Sequence, residues 1–135
     1  MLATLGDGTV KFIHRDGTQG YKPYNLDLAM KQIDSDYVFL LDADSTLTFD
    51  ALKASGATLD TDPELGMAQL ITISTNGSVG VFARASALLV SRLRTSIGTL
   101  NDSGGFLFFY GHNGMWRTAA LREVGPWEQY YRGRI

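Results

Sequence analysis

Two aspartates, Asp42 and Asp44, follow the apolar stretch Tyr37–Leu41 of this 135-residue chain. Two carboxylates held close together need a shared proton or a divalent cation to offset their repulsion. In an extended backbone, residues two apart point to the same side, so we expect both carboxylates to aim at one point. Ligand sets made only of oxygen suit Mg²⁺ or Mn²⁺, which commonly bridge carboxylates and substrate phosphates. The pattern predicts metal-assisted chemistry on a phosphate-containing substrate.

Three interpretations of this acidic pair are open. The first is a pair of solvated turn residues, but a fully apolar strand leading straight into two acids is uncommon for a mere turn. The second is sugar transfer from a nucleotide diphosphate, in which the metal stabilises the leaving diphosphate. The third is phosphoryl transfer with Asp42 as nucleophile and Asp44 as general acid. The stretch Phe39–Leu47 resembles the first motif of haloacid-dehalogenase-like phosphatases.

The rest of the chain disfavours the phosphatase hypothesis. Such an enzyme needs a downstream cation to balance the phosphoryl group, and no lysine occurs after Lys53. It also needs a second acidic pair, whereas Asp102 has no acidic residue close to it in the sequence. A non-catalytic binding module remains as a further class.

The composition predicts one ordinary soluble domain. The formal net charge is -2, 44% of the residues are hydrophobic and cysteine is absent. These values exclude a disulfide scaffold and a cysteine-based metal site, and they give no general attraction for nucleic acid. The longest apolar run, Val38–Leu41, is too short to cross a membrane, and Met1–Thr4 does not resemble a signal peptide. We expect the segment itself to be cytosolic.

The hydrophobic periodicity predicts an α/β chain. Alternation of strand and helix indicates a mostly parallel sheet with right-handed crossovers and helices on both faces. On the longest predicted helix, a buried face is expected to carry Phe82, Ala85, Leu89, Leu93 and Ile97. Strands are predicted over 9–14, 37–41, 67–73 and 106–110, and helices from an N-cap at Asn25 and over 49–55, 81–97 and 118–124, the last with Thr118 as N-cap and Gly125 as stop.

Three further motifs flank the two aspartates in a fixed order. Gly20–Leu26 reads Gly-Tyr-Lys-Pro-Tyr-Asn-Leu, and Asp62–Gln69 is an Asp-Pro turn into the next predicted strand, with a glutamine following the turn. Tyr110–Arg117 reads Tyr-Gly-His-Asn-Gly-Met-Trp-Arg and is the most specific of the three. With the Asp-x-Asp pair, this order resembles family 2 glycosyltransferases, and within them the bacterial glucosyltransferases that make periplasmic glucans and are related to cellulose synthase. The resemblance extends from His14 to Trp127.

The resemblance implies an inverting hexosyltransferase of the GT-A fold. Such an enzyme moves a sugar, here glucose from UDP-glucose, to a growing glucan with the help of Mg²⁺ or Mn²⁺. A lysine at a helix N-terminus is also physically suited to phosphate oxygens. Carried over to this sequence, the nucleotide-sugar-binding residues are Lys22, Asn25, Asp42 and Asp44, the metal ligands are Asp42 and Asp44, and the catalytic residues on the acceptor side are His112 and Asn113.

Parts of the family pattern have no counterpart between Met1 and Ile135. These are the first strand with its base-binding acid and the Thr-Glu-Asp segment that supplies the general base. We therefore interpret residues 1–135 as a single partial catalytic domain and expect the segment alone to be inactive. The family also implies a full-length protein embedded in the membrane, with this domain on the cytoplasmic face of the inner membrane. The expected partners are a nucleotide-sugar donor and a glucan acceptor, not a nucleic acid.

Overall fold

The computed structural model describes residues 2–5, 10–14, 16–17, 20–104, 108–125 and 127. These residues form two compact units. The first consists of the described residues within Met1–Ser35 and Arg122–Ile135, and the second is Asp36–Leu121.

The first unit begins with an antiparallel pair of strands. β1 (Leu2–Leu5) pairs with β2 (Val10–Ile13) in a register that places Leu2 opposite Ile13. The strand predicted over 9–14 is thus confirmed in type and nearly in extent. Its neighbour in the sheet is β1, which the periodicity did not predict.

Helix α1 (Tyr21–Met30) starts from Gly20, which has the left-handed φ of 71°. A Cβ at Gly20 would lie 2.6 Å from the Cβ of Tyr24, so this position requires glycine both for its backbone and for its space. The prediction that Asn25 caps the helix is wrong, because the helix begins four residues earlier and Asn25 lies inside it. The N-cap position is occupied by Gly20, which has no side chain to cap the helix.

The second unit is built on a three-stranded sheet in the order β3 (Tyr37–Leu40), β5 (Gly114–Arg117), β4 (Met67–Gln69). The central strand β5 is antiparallel to both neighbours. The predicted mixed α/β class is confirmed, but the predicted parallel sheet is wrong. β3 and β4 run in the same direction, as a strand-helix-strand unit requires, yet they do not pair because β5 inserts between them in the opposite direction.

The strand predicted over 106–110 is also wrong where the structure describes it. Residues 105–107 lie outside the described part of the chain, and Phe108–Tyr110 is irregular. The ring of Phe109 packs edge-on against the indole of Trp116, with centroids 5.2 Å apart. The apolar run therefore covers the sheet instead of joining it, and the strand follows four residues later.

Helix α2 (Phe49–Thr61) connects β3 to β4 and is longer than predicted. Thr48 caps its N-terminus, because the Thr48 hydroxyl oxygen accepts a hydrogen bond from the Ala51 N–H at 3.2 Å. The buried side of α2 carries Ser55 and Leu59 and packs on β4 and β5. The apolar core of the described chain consists of Val38, Leu40, Leu59, Met67, Met115 and Leu121.

Helix α3 (Val81–Gly104) follows β4 and extends beyond its predicted end. Its predicted buried face is wrong except at Ile97, which is half-buried. Ala85 is exposed, Phe82 is 90% exposed, Leu89 71% and Leu93 58%. Periodicity identifies residues that share a face but not which face meets the protein, and α3 turns Ala83, Ala87, Val90 and Arg94 inward to half-buried positions. Among the described residues, none of the helices combines the length and the apolar character needed to span a bilayer.

Helix α4 (Thr118–Val124) has its predicted bounds. It ends at Gly125, whose φ of 88° confirms the predicted glycine stop. The prediction of Thr118 as N-cap is wrong. Thr118 is the first helical residue, its N–H donates to the Asp36 carbonyl at 2.9 Å, and its buried hydroxyl makes no hydrogen bond within the described chain.

Candidate functional site

Three segments meet where β3 and β4 end and β5 begins. The Asn113 N–H donates to the Leu40 carbonyl at 2.6 Å, and the Leu70 N–H donates to the Asn113 carbonyl at 2.9 Å. Asn113 therefore bonds to both neighbouring strands just before β5 starts. This geometry places the turn Gly111–Asn113 beside the segment that leaves β3 and carries the two aspartates.

Asp42 and Asp44 lie in a β-turn. β3 ends at Leu40, and the Ser45 N–H donates to the Asp42 carbonyl at 3.0 Å, which closes the turn. Both aspartates thus lie beyond the end of β3, so strand alternation does not set the directions of their side chains, and the convergence of the two carboxylates stays a prediction. Asp44 is exposed and the Asp42 side chain is 35% exposed, so the turn presents both carboxylates at the sheet edge.

His112 lies next to Asp42. The His112 Nδ1 is 4.0 Å from the Asp42 Oδ2, and the imidazole is only 18% exposed. Nδ1 is buried and makes no hydrogen bond within the described residues. The structure thus brings together two predicted site residues, His112 and Asp42, that are distant in the sequence. The ring nitrogen of His112 nearest to the Asp42 carboxylate has no hydrogen bond within the described residues.

Asn113 is held in an unusual conformation with a left-handed φ of 53°, which asparagine tolerates better than most residues. Its side-chain Nδ2 donates to the Thr72 hydroxyl oxygen at 2.6 Å. Its Oδ1 is buried and has no hydrogen-bond partner among the described residues, although the residue is only 8% exposed. A buried acceptor without a partner is costly in free energy, so Asn113 Oδ1 is an unsatisfied polar atom beside the acidic turn.

Gln69, the last residue of β4, makes an extensive set of contacts at this edge. Its side-chain Nε2 lies within 3.1 Å of the carbonyl oxygens of Leu70, His112 and Asn113. Its Oε1 accepts a weaker bond from the Tyr110 N–H at 3.4 Å. Gln69 is absent from the site residues predicted from the sequence. The available signal was a polar amide inside the mostly apolar strand predicted over 67–73.

Helix α3 contacts this region through Arg94. Its Nη1 donates to the Thr72 carbonyl at 3.1 Å, and its guanidinium lies 6.0 Å from the ring centroid of Tyr110. The Tyr110 hydroxyl in turn donates to the Arg94 carbonyl at 3.2 Å. Hydrogen bonds thereby connect α3 both to the loop after β4, through Thr72, and to the turn before β5, through Tyr110.

Arg117, the last residue of the most specific motif, has a structural position. Its Nη2 donates to the Leu59 carbonyl at 2.8 Å and its Nε to the Leu65 carbonyl at 3.3 Å. The guanidinium also lies 5.6 Å from the centroid of the Tyr37 ring. The Leu59 carbonyl lies in the C-terminal turn of α2, where carbonyls lack helical partners and a cation is favoured by the helix dipole. Arg117 therefore joins β5 to α2 and β3 rather than to the site.

Lys22 and Asn25 lie on α1 in the first unit, both exposed, whereas the two aspartates, His112 and Asn113 lie in the second. Lys22 is in the first turn of the helix, where a phosphate-binding lysine is expected. Their role in binding a nucleotide sugar stays a prediction.

The two aspartates are suitable ligands for a divalent cation. The described residues contain no group of three or more histidine or acidic side chains that could hold a metal ion by themselves. Mg²⁺, however, is usually held by one or two carboxylates, with waters and substrate phosphates completing its coordination. Two carboxylates on one partly exposed turn fit that donor set, so a cation at Asp42 and Asp44 would require the phosphates of a substrate.

Comparison with known families decides the class. The model of the glycosyl transferase family group 2 matches residues 37–132, which is more than half of the chain and includes both aspartates and the Tyr110–Arg117 motif. The chain belongs to this family. The glycosyltransferase assignment gives no support to the phosphatase hypothesis. No solved structure matches the chain.

As a glycosyltransferase domain, the protein acts on a nucleotide-sugar donor and an acceptor. The matched range begins with β3 and contains every described element of the second unit. The site at the edge of the three-stranded sheet therefore lies wholly inside the family region.

Proposed function

We propose that the domain transfers glucose from UDP-glucose to a growing β-glucan with inversion, as part of a GT-A fold. The observation that carries the proposal is the placement of Asp42 beside His112 at the sheet edge, 4.0 Å apart. In α/β proteins, ligands bind beyond the carboxyl ends of the strands, and β3 and β4 both end at this edge. The family match to residues 37–132 supports the transferase chemistry.

The acidic turn forms the donor side of the proposed site. Asp44, which is exposed, would ligate Mg²⁺ or Mn²⁺ directly. Asp42 would take part in binding both the metal and the nucleotide sugar. The resemblance to the family also assigns Lys22 to the diphosphate and Asn25 to the nucleotide sugar, and these two roles are part of the proposal. When bound, the cation offsets the negative charge that develops on the departing diphosphate.

The turn before β5 forms the acceptor side. The buried Nδ1 of His112 and Oδ1 of Asn113 lack hydrogen-bond partners among the described residues and can accept hydrogen bonds from sugar hydroxyls. In the reaction, the acceptor oxygen bonds to the anomeric carbon, the bond from that carbon to the diphosphate oxygen breaks, and UDP leaves with the electron pair. The acceptor proton goes to a general base, and we propose that the enzyme is embedded in the inner membrane with this domain on the cytoplasmic face.

Calorimetric titration of the chain with UDP-glucose, with and without Mn²⁺, tests the donor side. We expect binding that depends on Mn²⁺ and a loss of affinity of about tenfold or more in Asp44→Ala, equivalent to about 1.4 kcal/mol. Asp34→Ala is the matched control, because Asp34 is also an exposed aspartate but lies outside the family region. Affinity that is independent of both Mn²⁺ and Asp44 would contradict the proposal and favour a non-catalytic module.

A further inference from the structure

Main-chain and side-chain groups share the hydrogen bonding of the Tyr110–Asn113 turn. Gly111 and Asn113 have left-handed φ values of 83° and 53°, and the turn leads directly into β5. The N–H and the carbonyl of Asn113 bond to the main chain of the neighbouring segments. The carbonyl of His112 and the N–H of Tyr110 instead bond to a side chain, that of Gln69.

The chemistry of these contacts selects a primary amide. Three of the four Gln69 contacts need a donor at Nε2, and the fourth needs an acceptor at Oε1. Among neutral side chains, only those of glutamine and asparagine carry an acceptor and a two-proton donor on one planar group. Glutamine has the additional methylene that lets the group extend from β4 across the turn.

We propose that Gln69 is a positioning residue for the acceptor side of the site. Its amide donates hydrogen bonds to the carbonyls of His112 and Asn113 and so fixes the backbone of the turn. The position of that backbone places the His112 imidazole beside Asp42. It acts through the turn and not through contact with the sugar. This inference rests on the proposed function, in which His112 and Asn113 face the acceptor.

Two substitutions separate hydrogen bonding from packing. Gln69→Leu removes the donor and the acceptor and puts an apolar side chain of similar size in their place. Gln69→Glu retains the shape, but its ionised carboxylate has no donor and would face three carbonyl oxygens. If the amide positions the turn, Gln69→Glu disturbs it at least as much as Gln69→Leu. If Gln69 only fills space, Gln69→Glu resembles the native protein.

Gln32 provides the matched control. It is exposed, and the structure gives its Nε2 one long bond of 3.5 Å to the Leu28 carbonyl within the same helical region. Gln32→Leu and Gln32→Glu should leave the site unchanged.

NMR of the chain tests the positioning directly, without any ligand. We expect the His112 imidazole signals to shift and the exchange of the Tyr110 and Asn113 amides to accelerate about tenfold in both Gln69 variants. The amides of α2 should keep their protection. Unchanged His112 signals, or an equal loss of protection throughout the unit, would overturn the proposal, the second because it would indicate a merely structural role.

Ligand binding tests the consequence for function, with UDP-glucose and Mn²⁺ as the donor probe and cellotetraose with UDP and Mn²⁺ as the acceptor probe. We expect the Gln69 variants to lose at least fivefold in affinity for cellotetraose and less than twofold for UDP-glucose. Equal losses for the two probes would overturn the positioning role. If the native chain binds neither probe, the proposed function fails, and the NMR result alone decides the role of Gln69.

A measurement on the native chain covers the case in which the variants do not fold. The side-chain amide protons of Gln69 should exchange with solvent at least tenfold more slowly than those of Gln32, because the former contact three carbonyls. Equal exchange rates for the two side chains would overturn the proposal.

Discussion

The Nδ1 of His112 lies 4.0 Å from the Oδ2 of Asp42, and the sheet itself produces this contact. β5 pairs with β3 so that Leu40 is opposite Gly114, which brings the residues before β5 alongside the residues after β3. The donor and acceptor sides of the proposed site are therefore linked by strand register. A cation held by the acidic turn would lie close to the imidazole.

The first prediction uses this proximity. Mn²⁺ is paramagnetic, so its binding at Asp42 and Asp44 should broaden the NMR signals of the His112 ring, which the structure places beside Asp42. The diamagnetic Mg²⁺ should leave these signals sharp. Asp44→Ala should remove the effect at the same Mn²⁺ concentration. Broadening that persists in Asp44→Ala would contradict the assignment of Asp44 as the direct metal ligand.

The second prediction concerns Arg117, the last residue of the Tyr110–Arg117 motif, whose side chain joins β5 to the C-terminal end of α2. Arg117→Ala should lower the free energy of unfolding by about 2 kcal/mol, because it removes charge-assisted bonds to the Leu59 and Leu65 carbonyls. Arg117→Lys should recover less than half of the loss, since an ammonium cannot reproduce the guanidinium fork. Urea unfolding provides the measurement.

Arg92 is the control for that experiment. It is an exposed arginine on α3. Arg92→Ala should change the free energy of unfolding by less than about 0.5 kcal/mol. Similar losses for Arg92→Ala and Arg117→Ala would show that the loss of one positive charge, and not the contacts of Arg117, determines the result.

Short-range sequence patterns correctly predicted β3 and α4. β3 and α4 were found within one residue of their predicted bounds, because an apolar run before two acids and a glycine stop are both visible in the sequence. β5 was missed because its identity depends on two partners, β3 and β4, that lie far away along the chain. Its short sequence beginning with glycine has no strand signal of its own.

The site was predictable in its residue types but not in its contacts. The order of motifs placed Asp42 and His112 in one site, and the structure brings them together. The role of Gln69 could not be read from the sequence, because its partners are carbonyl oxygens that any residue possesses. The exposure of Phe82 and Leu89 on α3 could not be predicted from the sequence either, since periodicity does not indicate which side of a helix packs against the protein.

The third prediction follows from the hydrogen bond between the Tyr37 hydroxyl and the Asp60 carboxylate. This bond is the main cause that raises the pKa of Tyr37 above 10.0, with desolvation and the Asp60 charge acting in the same direction and Arg117 opposing them. Because the folded-state pKa is raised, the stabilisation is fully present below pH 10.0 and is lost as the pH rises through the folded-state pKa. Asp60→Asn should lower the pKa of Tyr37.

Absorbance titration of the phenolate band measures this effect. The contribution of Tyr37 is the difference between each protein and the same protein with Tyr37→Phe, because the chain contains six tyrosines. Asp34→Asn, which changes an exposed aspartate in the first unit, should leave the difference curve unchanged. A curve that does not move in Asp60→Asn would show that this bond is absent in solution.

The fourth prediction compares two glycines. A Cβ at Gly114 would lie 3.0 Å from the Phe109 ring and 3.6 Å from the sulfur of Met67, so Gly114→Ala overpacks a buried position. We expect a loss of about 1–3 kcal/mol in unfolding free energy and a change in the near-UV circular dichroism of Trp116, which contacts the Phe109 ring. Gly98→Ala on α3 meets open space and should stabilise the protein by up to about 1 kcal/mol.

The fifth prediction tests the inward and outward faces of the helices with one chemical change. Leu59 on α2 is fully buried, with 0% of its surface exposed, whereas Leu89 on α3 is 71% exposed. Leu59→Ala should lower the free energy of unfolding by about 2–5 kcal/mol, because it removes buried methyl groups and leaves a cavity. Leu89→Ala should cost less than about 0.5 kcal/mol, since solvent already covers the side chain and alanine favours the helix. Urea unfolding of both variants decides the matter: a large loss in Leu89→Ala would mean that α3 buries its apolar face in solution, as the sequence periodicity predicted.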